Sequence, residues 1–201
     1  MKPRHAAALA LFLCGLSTTL LAQTTPDSFT SPDGVFRFNV GALIRCTEEA
    51  QRGVWDPQRY CFTYIPICDG TLVCFADQFA FERFGVAAAF SVSEITKVTA
   101  EKECLGRSLD WTHDPPEDGE PVMINHERFQ LFHTSDLGTG HVAQGREYRT
   151  FHEGKCYELS IRSTWSNQKA DDEPDKVITR KDWEELNAPL ERALNSFSFL
   201  K

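Results

Sequence analysis

The chain has 201 residues, and its 21 Lys+Arg against 29 Asp+Glu give a formal net charge of −8. That acidity excludes the basic footprint on which phosphate-backbone binding depends, so nucleic acid and anionic lipid are not expected partners. Fifteen Phe and four Trp spread along the chain supply a substantial core, and a domain of this size buries about 70% of its unfolded surface without needing disulfides to fold.

Residues 1–5 carry Lys2 and Arg4, residues 6–22 (AAALALFLCGLSTTLLA) are apolar, and Ala22 is a small residue suited to the position before a cleavage. This is the pattern of a secretory signal peptide, and it predicts a secreted or periplasmic protein. The run is short of the ~20 residues a spanning helix needs, and Gly15, Ser17, Thr18 and Thr19 weaken it further. Cys14 follows Leu13 rather than a small residue, which argues against a lipid anchor there. No later segment is apolar enough to span a membrane. Removing residues 1–22 takes away Lys2 and Arg4 and no acid, leaving 19 Lys+Arg against 29 Asp+Glu, a net charge of −10.

Residues 23–34 (QTTPDSFTSPDG) read as a polar tail and a turn, and 35–201 as one globular domain. In 35–40, Phe36, Phe38 and Val40 alternate with Arg37 and Asn39, the signature of a half-buried strand. Residues 47–72 read as irregular, with turn signals at Asp56-Pro57 and Asp69-Gly70. Residues 84–95 are the strongest strand, with Val86, Ala88, Phe90 and Val92 on one face. Its other face, Ala87, Ala89 and Ser91, is small enough to admit a closely packed helix, so both faces should be covered. Thr99 is expected to cap a short helix over 100–105 that Gly106 ends, and 112–121 (THDPPEDGEP) reads as an acidic, proline-rich loop.

Residues 122–165 read as an antiparallel meander. Asn125-His126 marks a turn, 135–140 (SDLGTG) a loop, and Glu153-Gly154 a two-residue hairpin turn joining 141–151 to 155–165. In the last of these strands Tyr157, Leu159, Ile161 and Trp165 face one way. Cys156, Glu158, Ser160, Arg162 and Thr164 face the other. Thr179 with Asp182 forms a capping box. Trp183, Leu186, Leu190, Ala193, Leu194 and Phe197 recur at helical spacing, and Pro189 should bend that helix near Glu185. Ser196–Leu200 can form a short final strand. The fold class expected is α+β: an antiparallel sheet flanked by helices, in a single disulfide-stapled domain.

Cys46, Cys61, Cys68, Cys74, Cys104 and Cys156 follow the signal segment. Their even number behind such a segment points to disulfides. The absence of any CxxC pair argues against a zinc knuckle or a thioredoxin-like redox site. Six cysteines allow 15 pairings. The preferred one joins Cys104 to Cys156 and leaves Cys46, Cys61, Cys68 and Cys74 to pair locally.

The order of elements is an opening SPDGVFRFNV strand, antiparallel strands, a proline-rich insert, a hairpin, a long amphipathic helix and a closing LERALNSFSFL. It resembles the PsbP/DcrB-like group of extracytoplasmic domains, and also bacterial secreted proteins more broadly. The resemblance implies a sheet flanked by helices in a binding or assembly factor, and carries over no functional residue.

Residue by residue, chemistry is thinly represented. There is no GxSxG elbow, P-loop or GxGxxG, and cysteine parity leaves no free thiol for a Cys–His nucleophile. His133, Asp136 and His141 can be drawn as converging on a divalent cation, but HxDxH is not a ligand signature, and a solvated loop is the reading. Asp114, Glu117, Asp118 and Glu120 lack the order of a calcium loop. No catalytic residue, metal ligand or cofactor is assigned. Trp55, Tyr60, Phe62 and Tyr64, in the cysteine-rich stretch, are the candidate partner surface. The function expected is a secreted or periplasmic non-catalytic binding or assembly domain whose partner is an unknown protein or cell-surface component. The alternatives are a small secreted metal-dependent hydrolase and an inhibitor of an extracellular enzyme.

Overall fold

Strands dominate the architecture. The computed structural model describes residues 27–46, 70–77, 83, 86–106, 119–138, 141–166 and 178–200. In chain order these form β1 (Ser28–Thr30), β2 (Phe36–Asn39), β3 (Ile44–Arg45), β4 (Thr71–Ala76), β5 (Val86–Glu94) and α1 (Glu101–Cys104). There follow β6 (Glu120–Ile124), β7 (Glu127–Gly138), β8 (His141–His152), β9 (Lys155–Ser166), α2 (Arg180–Asn195) and β10 (Ser198–Phe199). The described fold is therefore mainly β, with one long and one short helix, rather than a balanced α+β mixture.

A seven-stranded sheet has the order β3-β4-β5-β9-β8-β7-β6, and a three-stranded sheet the order β1-β2-β10. All pairings are antiparallel. The tight turns lie where the residue types require them. Asn125 and His126 between β6 and β7, and Glu153 and Gly154 between β8 and β9, all have positive φ, as a two-residue type I′ connection demands at both central positions.

Several expectations are corrected at their edges. Ser28–Thr30, read as tail, is a strand paired with β2, where Phe29 lies opposite Phe38 and packs edge-on to Phe75 of β4. Thr71–Ala76, of which the irregular stretch covers only Thr71 and Leu72 and to which no strand is assigned from the sequence, pairs with β5 through a register shift between Thr71 and Val73. Ser135–Gly138 is not loop but the end of β7, paired with His141–Gln144, and Glu120–Pro121 opens β6. Hydrogen-bonded long strands absorb polar residues that local pattern assigns to loops.

Thr179 caps α2 as expected, its side chain accepting from the Asp182 backbone while Asp182 reaches back to Thr179. The helix runs on through Pro189, because packing of Leu186, Leu190, Ala193 and Leu194, all buried, outweighs the missing backbone bond. The short helix is capped by Ala100 rather than Thr99, with no side-chain cap.

The main core lies between α2, the small sheet and one face of the large one. It joins Phe36, Phe38, Phe90, Leu159, Leu190 and Phe197 among others. Phe38 meets Phe90 edge-on at 4.9 Å, and Phe36 stacks near Phe197 at 5.5 Å. The opposite face of the large sheet carries α1, tied to β9 by the Cys104–Cys156 disulfide over a small cluster with Val98. The second described disulfide, Cys46–Cys74, ties the residue after β3 to β4. Both agree with the expected pairing. Cys61 and Cys68 lie outside the described residues.

Candidate functional site

The face of the large sheet turned toward α2 changes character along its strands. Register places the residues in cross-strand rows, and each row belongs to one face. The row Leu131–Tyr148–Leu159–Val92 is apolar. The next, His133–Arg146–Ile161–Phe90, is mixed, and the one after it is Ser135–Gln144–Ser163–Ala88. Within three rows an oily face becomes one of hydroxyls, an amide and a methyl.

Helix α2 covers only part of this face. Its buried side chains pack with residues of β2, β5 and β9. Its other flank stands beside β7 and β8 and leaves a groove of about 820 Å³. The floor is His133, Ser135, Gln144, Arg146 and Ser163. The helical wall carries Arg180, Trp183, Glu184, Asn187 and Glu191. Strand spacing of about 4.8 Å makes the three-strand floor roughly 10 Å wide. The volume falls in the range of about 300–1,000 Å³ usual for small-ligand sites.

The charges in this groove pair with one another. Arg146 donates to Glu191, joining the sheet to the helix. On the helix, Arg180 Nε donates to Glu184 Oε1 at 3.0 Å. Asn187 Nδ2 donates to the Trp183 carbonyl at 2.8 Å. Trp183 meets Trp165 of β9 edge-on, with ring centroids 5.0 Å apart. Core contacts hold the half-buried indole in place while it also lines the groove.

The opposite face holds a buried charged cluster instead. Glu147 accepts from Arg149 Nη2 at 2.9 Å and from Arg162, and Arg149 Nε donates to Glu158 at 2.8 Å. The Arg149 guanidinium lies 4.8 Å from the centre of the Phe132 ring. Burial, and then the charge of Glu158, push the Glu147 carboxyl up to about 7 against the pull of Arg162 and Arg149. In the row Ala89–Arg162–Gly145–Thr134, a Cβ on Gly145 would come within 2.8 Å of Arg162 Cγ. The small Ala89 and Gly145 thus flank the long Arg162 side chain in this row, while α1 packs over β8.

Register also dissolves the drawn cation site. His141 lies opposite Gly138, five positions along β7 from His133, about 16 Å of strand at ~3.3 Å per residue. Among the described residues no group of three or more His, Cys, Asp or Glu is placed to hold a metal ion, and no helix is long and apolar enough to cross a membrane. Trp55, Tyr60, Phe62 and Tyr64 lie outside the described residues. The groove residues carried one signal in the sequence. Ser163 interrupts the apolar series Tyr157, Leu159, Ile161, Trp165, a polar position within an apolar strand face.

No family model matches the chain, and no curated protein does. Among solved structures it is similar to the crystal structure of LpqN, involved in cell envelope biogenesis of Mycobacterium tuberculosis. The identity is 11%, 64% of each chain is covered, and the TM-score is 0.26. The chain thus spans less than two thirds of that protein's length, and a likeness at this level carries no argument about function.

Proposed function

We propose that the chain is a non-catalytic extracytoplasmic domain that binds a cell-surface component or secreted partner in the groove between α2 and strands β7–β9. One observation carries the reading: the polar row Ser135–Gln144–Ser163, next to His133 and Arg146 of the mixed row, lies where the helix leaves a groove over the sheet face. Polar floor under a half-covered groove costs core burial, and ligand contact is what such a floor offers in return. Two disulfides among the described residues support an oxidising compartment. The element order resembling PsbP/DcrB-like domains supports a binding or assembly role.

The test compares retention of the immobilised full chain on cell-surface and extracellular material with that of Gln144→Arg and Arg146→Glu. Gln144 is exposed, so its replacement leaves the core intact. Loss of retention in both variants, with circular dichroism unchanged, supports the groove. Equal retention of the wild type and both variants overturns it.

A further inference from the structure

The groove's chemistry narrows the class of its ligand. This step rests on the reading of the groove as a binding site. Four lining residues carry a fixed formal charge, and they form two ion pairs, Arg146–Glu191 and Arg180–Glu184. Both pairs reach solvent, Arg180–Glu184 at 92% and 64% exposure, and together they leave no surplus of either sign to attract a charged ligand. The site therefore fits a neutral molecule.

The floor fits a polar one. Ser135, Gln144 and Ser163 carry hydroxyl and amide groups that both donate and accept. Groups of that kind match ligand hydroxyls, which also do both. Asn187 adds an amide on the helical wall. Trp183 supplies a half-buried indole, a flat π surface that attracts the weakly positive C–H groups on the face of a sugar ring.

A peptide is the competing neutral ligand, and the backbone disfavours it. The groove lies over the face of β7–β9, so a peptide held in it cannot add to a strand edge, which lies in the plane of the sheet; β6 pairs with β7 only over Glu127–Leu131. The polar floor likewise lacks the apolar seam that an amphipathic helix seeks. We infer that the groove between α2 and strands β7–β9 binds a neutral carbohydrate, a short oligosaccharide whose ring face lies on Trp183 and whose hydroxyls meet the Ser135–Gln144–Ser163 row.

The experiment titrates the full chain with neutral oligosaccharides of glucose, mannose and N-acetylglucosamine, following tryptophan emission and heat. Oligogalacturonate and a mixed neutral peptide pool serve as the comparison probes. The expected result is saturable binding of at least one neutral oligosaccharide. It should weaken by at least about tenfold, or ~1.4 kcal/mol, in Gln144→Arg and in Trp183→Ala. Trp183→Ala removes core contacts, so Gln144→Arg keeps the test open if the first variant fails to fold. No saturable binding by any neutral oligosaccharide overturns the inference. So does tighter binding of oligogalacturonate. If the peptide pool alone binds and Gln144→Arg abolishes it, the carbohydrate inference falls and the groove reading stands. If an oligosaccharide binds equally well to wild type and both variants, both readings fall.

Discussion

Arg146 on β8 and Glu191 on α2 form an ion pair that bridges the sheet and the helix along the groove. The two side chains are 30% and 33% exposed, so water and salt reach the pair. Double-mutant cycles on such pairs give about 0.2–1 kcal/mol. The expected coupling between Arg146→Ala and Glu191→Ala is therefore about 0.5 kcal/mol at low salt. It should fall toward zero at about 1 M salt, where the screening length is ~3 Å. Urea denaturation of the four proteins at both salt concentrations measures it. A coupling above about 2 kcal/mol, or one indifferent to salt, would show a pair shielded from solvent.

The Cys104–Cys156 disulfide spans 52 residues of sequence and ties α1 to the sheet face opposite α2. The chain-entropy relation gives about 4 kcal/mol for a loop of that length. The double Cys104→Ala/Cys156→Ala variant should lose stability on that order while keeping the main core, which neither cysteine joins. Urea midpoints, with near-ultraviolet circular dichroism as the check on aromatic packing, measure both parts. A loss under about 1 kcal/mol would mean that the unfolded chain is already constrained in that region.

Much of this fold is legible in the residues, and the reason is periodicity. Strands β2, β5 and β9 alternate over several residues, and α2 carries a capping box and a full apolar stripe. Thr71–Ala76 was not legible, because its Leu-Val-Cys-Phe run is short and sits beside turn signals. Ser135–Gly138 was not, because Ser, Asp and Gly favour loops locally and only pairing with β8 extends them. The groove was barely legible. Its floor comes from three strands that meet only through register, and the visible trace of it is Ser163 within an apolar series. The charged cluster was hidden for the same reason. Glu147, Arg149, Glu158 and Arg162 lie on alternating strands, and their burial depends on what covers that face.

On the same face, the hydroxyls of Ser160 and Thr164 are buried and make no hydrogen bond with the described residues. An unsatisfied buried hydroxyl costs about 1–3 kcal/mol. Thr164→Val keeps the shape and removes that polar atom. The expected outcome is a gain of about 1 kcal/mol, read as a higher melting temperature. A loss of similar size would reveal a bridging water or a partner on that hydroxyl.

Glu147 sets the pH dependence. Its carboxyl titrates near 7 in the folded protein, raised from an ordinary 4.5 first by burial and then by the charge of Glu158. The folded state thus holds this proton more tightly than the unfolded state does. The contribution to stability is complete below about pH 4.5 and is lost as pH rises through about 7. At 1.36 kcal/mol per unit, the full swing is roughly 3 kcal/mol. Asp33 and Asp182 have lowered values, each held first by a side-chain hydrogen bond, and their contributions fade at acidic pH, below this window. Denaturation free energies measured from pH 5 to 8 should therefore decline for the wild type. They should stay nearly level for Glu147→Gln, which mimics the protonated acid at every pH. Parallel profiles for the two proteins, or a wild-type stability that rises across the window, would mean that Arg149 and Arg162 keep Glu147 ionised throughout.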